Sequence, residues 1–283
     1  MANTTATTAY RAKWLSAQLQ ETLKAALVAE KICQVDRSDS KYIWNPYGSA
    51  PTTVVQAIVG TYVPATYTST DDTLTVAYEF IVSEQIYDFE KVLNNADIFA
   101  SRMDEQVASV ATAIDKYVLN KITDVGTGTY STPAGAFSQV NVPIICSNLL
   151  SKVAGYADTY KGLYLVIEAQ DVPGFVQAGA SQGFSFADSW LKNGWMNNYM
   201  GIDIYVKPNS TFATATIGES FTNSGHRLFG VKGITTYASP RGIQYEEKPI
   251  GGSTGKEVVC WGYIGVGVWF AKRALSVDIT VTA

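Results

Sequence analysis

From Ile86 to Ile122 the chain repeats apolar side chains every three or four residues, through Phe89, Val92, Phe99, Val107 and Ile114, without a glycine or proline. That spacing is the period of a helix with one apolar face. At 1.5 Å per residue it predicts a rod roughly 50 Å long, well beyond the ordinary globular helix. Just before it, residues 54–63 and 73–82 are rich in β-branched and aromatic residues. In the second stretch Leu74, Val76, Tyr78, Phe80 and Val82 share one face of a strand, and Thr75, Ala77 and Glu79 the other. The two predict a long hairpin whose tip, residues 66–72, holds one large apolar residue, Tyr67. A two-stranded ribbon is marginal alone in water, so its apolar face needs cover. A rod with a ribbon at its start suits a subunit that must reach its neighbours. The competing reading is a single long core helix in an ordinary α+β domain.

Composition narrows the class. Only 16% of the 283 residues are charged, where about 25% is usual for a soluble domain. With 17 Tyr and 6 Trp, the chain has a neutral, aromatic surface of the kind buried between subunits. The net charge is −4 and no lysine/arginine block exists, which excludes sequence-specific nucleic-acid binding and leaves only weak, non-specific contact. Cys33, Cys146 and Cys260 are odd in number and far apart, so they predict reduced, buried thiols with neither disulfides nor zinc. No secretory h-region is present. The longest apolar run, Val258–Phe270, is too short to cross a membrane as a helix and reads as a strand buried on both faces.

The chain opens with an amphipathic helix whose stripe is Trp14, Leu15, Leu19, Leu23 and Leu27. It packs either on its own domain or on a neighbour, and the pattern leaves both open. A polar segment, 34–42, then leads to a turn at Trp44–Gly48. After the rod, Pro143 opens a helix over 143–160, Leu163–Ile167 is a strand, and Asp171 caps a short helix over Val172–Ala178. Ile202–Val206 is a further strand. From Arg227 onward nearly everything is β, including the long strand Lys256–Phe270 and an alternating Ser276–Thr282.

No catalytic constellation emerges. The single histidine, His226, sits beside Asn223-Ser224-Gly225 and reads as an exposed turn residue. The segment Gly251–Glu257 resembles a phosphate loop, but Ile250 stands where the first glycine should be and Glu257 replaces the Ser/Thr. It also leads into a strand rather than a helix. Gly265 and Gly267 lack the dinucleotide fingerprint and predict close packing. Glu246 and Glu247 point to opposite faces of a strand and cannot cooperate, while Asp71 and Asp72 belong to the polar hairpin tip. Catalytic, cofactor-binding and metal-ligating residues are all predicted to be absent.

The matching stretches are the hairpin VVQAIVGTYV…TLTVAYEFIV, the rod IYDFEKVLNNADIFASRMDEQVASVATAIDKYVLNKI, the central GLYLVIEAQDVPGFVQAG…MGIDIYVKPN and the closing RGIQYEEKP…VVCWGYIGVGVWFAKRALSVDIT. Taken in that order, the chain resembles the tailed-bacteriophage major capsid proteins of the Hong Kong 97-like fold, an α+β architecture. The resemblance implies an N-terminal arm (1–50), an extended loop (51–85), a spine helix with peripheral domain (86–141), an axial α/β domain (142–236) and a return into the peripheral domain (237–283). It implies a structural protein that assembles with itself as pentamers and hexamers into an icosahedral shell around double-stranded DNA. Such a protein is made in the host cytoplasm and resides in the virion, with no membrane and no cofactor. The expected inter-subunit contacts are Trp14, Leu19 and Leu23 of the arm and Leu74, Val76, Tyr78 and Phe80 of the loop. Expected partners are a portal, a decoration or cementing protein and packaged DNA held non-specifically; because no long scaffolding segment precedes the arm, either a separate scaffold protein or assembly unaided is expected, with little or no proteolytic maturation. Self-linking members place a lysine on the extended loop; Val54–Gln85 contains none, so no covalent cross-link is expected. A shell that encloses protein cargo (an encapsulin) is the alternative, followed by a small-ligand-binding α+β protein.

Overall fold

The computed structural model describes residues 27–38, 42–48, 69–87, 98–156, 159, 161–181, 198–212, 214–217, 219–252 and 254–282. A single-turn helix α1 (Ala29–Ile32) leads into β1 (Gln34–Asp36). β2 (Tyr42–Gly48) pairs antiparallel with β3 (Ser69–Thr75), from Tyr42 opposite Thr75 to Gly48 opposite Ser69. β4 (Tyr78–Tyr87) precedes α2 (Ile98–Val125), whose 28 residues make a rod of about 42 Å at 1.5 Å per residue. The predicted stripe is its buried face: Val107, Val110, Ile114, Val118 and Ile122 are all covered.

Three expectations fail here. Ile86 is not helical; it is the buried residue of an in–out alternation along β4 and pairs with Lys256. Ile86 fits both periods, and the two-residue step Tyr78, Phe80, Val82, Ile86 wins because a neighbouring strand supplies the backbone partners. Residues 88–97 lie outside the described part. Trp44–Gly48 is likewise a strand rather than a turn. In a two-stranded ribbon both strands are edges, so Pro46 can sit with its missing N–H away from the partner. The single strand predicted over 73–82 is also broken: β3 ends at Thr75 after starting inside the predicted tip, β4 begins at Tyr78, and the predicted hairpin partner, 54–63, is outside the described residues.

The rest alternates more regularly. β5 (Gly128–Ser131) is followed by α3 (Asn141–Val153), β6 (Leu163–Glu168), a 3-10 turn at Ala169–Asp171 and α4 (Val172–Ser181). β7 (Asn198–Tyr199), β8 (Ile202–Lys207), β9 (Thr214–Ile217) and β10 (Glu219–Thr222) come next. Then follow β11 (His226–Val231), β12 (Thr235–Ala238), β13 (Ile243–Pro249), β14 (Gly255–Val268) and β15 (Ser276–Thr280). α3 is shorter than predicted. Pro143 is its third residue, still in the first turn where a helix has no use for the N–H.

A six-stranded mixed sheet runs β5-β15-β11-β6-β8-β7 and is covered on both faces. All six residues of β6 are buried. Leu163, Leu165 and Ile167 join α3 and α4 in one core, while Tyr164 and Val166 join α1 and α2 in the other. The second core is closed by a sheet ordered β1-β12-β14-β13, with β4 also on β14. The three cysteines are free and buried, as expected, and burial pushes Cys33 and Cys146 up to about 12 and Cys260 to about 11. His226 is not a free turn residue: it opens β11, and its Nδ1 lies 2.8 Å from the Asp278 carboxylate on β15. Asp278 is the diagonal neighbour in the register that sets His226 opposite Thr280.

Candidate assembly surfaces

The expected contact face of β3 and β4 is turned largely inward. Leu74 is only 3% exposed and wedges against β14, where a Cβ on Gly267 would come within 2.7 Å of its side chain and one on Gly265 within 3.0 Å. The two glycines are the close-packing sites predicted, and Leu74 is an internal wedge rather than a neighbour contact. Tyr78 and Phe80 set their rings on Tyr117 of α2, with centroids 5.1 and 5.7 Å away. Val76 is half-buried. Of the arm stripe, Trp14, Leu19 and Leu23 lie outside the described residues, while Leu27 is fully buried against α2 and its neighbours.

The opposite face of the same strands is open. Ile81 is 60% exposed and sits across from Trp261; Tyr263, 41% exposed, sits across from Glu79. Cross-strand partners share a face, so these side chains form an apolar patch on the outer surface of β4 and β14. The expectation that Val258–Phe270 is buried on both faces is corrected here. Only the even side, with Val258, Cys260 and Ile264, faces the core throughout. The flanking Glu79, Ser83 and Gln85 carried the signal, but it needed the register to be legible.

Other exposed apolar groups lie around the six-stranded sheet. Val140 is 72% exposed, and Ile144 projects from α3 beside exposed Ser147, Asn148 and Ser151. Residues 125–151 contain no charged side chain. Met200 is half-exposed at the tip of the β7–β8 hairpin with φ 52°, followed by Gly201 at φ 81°. Positive φ at both central residues marks a type I′ turn. Asn198 holds it, accepting from Gly201 N–H at 3.0 Å and donating to Asp203 at 2.9 Å.

Buried polar groups fix how the elements meet. Asp115 of α2 is 1% exposed and accepts the Val28 and Ala29 N–H groups at 3.0 and 2.9 Å, while also meeting the Lys207 ammonium at the end of β8. It therefore caps α1 from another helix. Arg227, fully buried in β11, is held between Glu168 and Asp171. The Asp171 carboxylate accepts Glu168 N–H at 3.1 Å in a capping box of the 3-10 turn, and Glu168 accepts Phe212 N–H at 3.2 Å. Among the described residues, no group of three or more His, Cys, Asp or Glu could hold a metal ion, and no helix is long and apolar enough to cross a membrane.

No protein-family model matches the chain, and no curated protein matches its sequence. Solved structures match its shape. The capsid of cyanophage P-SCSP1u aligns with TM-score 0.69 at 12% identity, over 90% of this chain and 88% of that one. The chain has the tailed-phage major capsid fold. A structure from Mycobacterium phage Che8 aligns at TM-score 0.64 and 14% identity, over 85% and 84% of the two chains. A virus-like particle from Pyrococcus furiosus aligns at TM-score 0.62 and 9% identity, over 94% and 97%. At such identities what is shared is the fold.

Proposed function

We propose that the chain is a structural major capsid protein that assembles as pentamers and hexamers into a closed icosahedral shell around double-stranded DNA. The capsid fold carries this reading, because it spans about nine-tenths of both chains in the cyanophage alignment. Closed shells require heterologous contacts whose rotations close. The exposed patch at Ile81 and Tyr263, the uncharged face of α3, Val76 and the arm residues Trp14, Leu19 and Leu23 are the surfaces assigned to those contacts. A portal, a scaffold protein and a decoration or cementing protein are the partners such a shell uses. With net charge −4 the inner surface holds DNA weakly and without sequence preference.

Size-exclusion chromatography and electron microscopy of the purified protein test the reading. Large hollow particles are expected; a monodisperse 30.6-kDa species at high concentration, in several salts and with its scaffold supplied, overturns it. The fit to the Pyrococcus particle, over 94% and 97% of the chains, favours a second reading, a shell around protein cargo. Nuclease-protected DNA inside the particles supports the first reading, and a co-purifying protein without DNA supports the second.

The shell is held without covalent links through the ribbon. No lysine lies between Val54 and Gln85, and the Ser and Thr hydroxyls found there are poor nucleophiles without an activating base. Denaturing electrophoresis of mature particles is expected to give one band at 30.6 kDa. A ladder that survives boiling and reductant would refute this.

A further inference from the structure

Three donors from two elements converge on one carboxylate at the root of the ribbon. Glu219, the first residue of β10, accepts Tyr78 Oη at 3.0 Å and Tyr117 Oη at 3.4 Å through Oε1, and its Oε2 meets the Lys121 ammonium. Tyr78 opens β4, and Tyr117 and Lys121 lie one turn apart on α2. All four border a cavity of about 280 Å³, with Asp72, Leu74, Trp269 and Arg273 on its other walls. Arg273 leans toward Asp72 at 4.0 Å and donates from Nε to Val268 O. The side chains of Glu219 and Lys121 are 32% and 26% exposed, so protons reach the cluster from solvent.

We propose that Glu219 is an acid-released latch holding the β9–β10 hairpin to α2 and to the root of β4. The two tyrosine hydroxyls can rotate to accept from a protonated carboxyl, but the Lys121 ammonium can only donate. Protonation therefore removes the ion pair with Lys121 and leaves the ammonium only a neutral carboxyl oxygen to donate to, a weaker contact. The adjoining cavity gives the freed hairpin and the Tyr78 and Tyr117 rings room to move. Burial works to raise the Glu219 pKa, but hydrogen bonds from Lys121 and Tyr78, the Lys121 charge and the Tyr117 bond outweigh it and hold it below the ordinary value. The latch thus contributes above about pH 4.3, the unperturbed glutamate value, and is lost as pH falls through the lower folded value. It belongs to the folded chain and operates whether or not a shell forms.

Hydrogen–deuterium exchange of the full chain from pH 7 to about pH 3, corrected for intrinsic exchange rates, tests it. Amide protection over 214–222 is expected to fall about tenfold in one acid step while α3 and β6 stay protected. Tyr78→Phe removes a donor to the carboxylate and moves the step to higher pH. Glu219→Gln abolishes the step and leaves the hairpin weakly protected at pH 7. Unchanged protection of 214–222 across the range overturns the latch, as does simultaneous loss over the whole chain. An unmoved midpoint in Tyr78→Phe does the same, even if Glu219→Gln fails to fold.

Discussion

Asp115→Ala lowers the stability of the chain by about 3–5 kcal/mol, the cost of breaking a buried charge pair from one side. The substitution orphans the Val28 and Ala29 N–H groups and leaves the Lys207 ammonium, which is 12% exposed, without its carboxylate. The effect is not confined to α2. Leu27, Val28, Ala29, Ile32 and Cys33 pack in the same core as Ile114 and Val118, so the root of the arm loosens with it. Asp115→Asn keeps one acceptor oxygen and removes the charge, and its loss is expected to be smaller. Denaturant unfolding of the three proteins measures the series. An alanine variant within about 0.5 kcal/mol of wild type, the scatter of ordinary surface substitutions, would show that water replaces Asp115 at little cost.

Gly174→Ala destabilises the chain by about 3 kcal/mol or more, at the upper end of what overpacking costs, although alanine is the better helix former. Gly174 lies in the first turn of α4, and a Cβ there would stand 1.6 Å from Phe137 O and 2.8 Å from Phe137 C. Both are backbone atoms, so the strain cannot be relieved by a rotamer change. The helix must move, which separates the stacked rings of Phe137 and Phe175 at 5.6 Å and the edge contact of Phe175 with Tyr199 at 6.0 Å. Gly179, on the same helix, is the control: a Cβ there meets nothing within 4 Å, so Gly179→Ala gains up to about 1 kcal/mol from propensity alone. Thermal unfolding is expected to move in opposite directions for the two variants. Equal shifts would mean that Phe137 yields freely.

How much of this was readable in the chain follows from how local each signal is. β6 and β8 fall within a residue of expectation, because short apolar runs between turn formers identify themselves. The buried half of α2 was equally plain. β2 was not, since Asn45, Pro46 and Gly48 are turn formers locally and are overridden by pairing with β3. Ile86 satisfied two periods at once, and only the presence of β14 decided between them. The polar joints were invisible for a simpler reason: Asp115 and Val28 are 87 positions apart, and Lys121 and Glu219 are 98. Of the expected contact residues, Leu74 proved internal, because the ribbon's apolar face is spent on the chain's own α2 and β14. The exposed patch at Ile81 and Tyr263 went unread, since which side of a strand meets solvent depends on what lies across it.

The position of β14 and β15 bears on the timing of synthesis. β14 pairs with β4, β12 and β13, and β15 lies between β5 and β11. Neither core can close until residues 255–280 have been made, however early the rod and the first strands emerge. A nascent chain, or one cut short before residue 255, thus exposes the inner faces of both sheets and has no finished surface to offer another copy. Completeness is thus written into strand order: a chain that stops before residue 255 closes neither core.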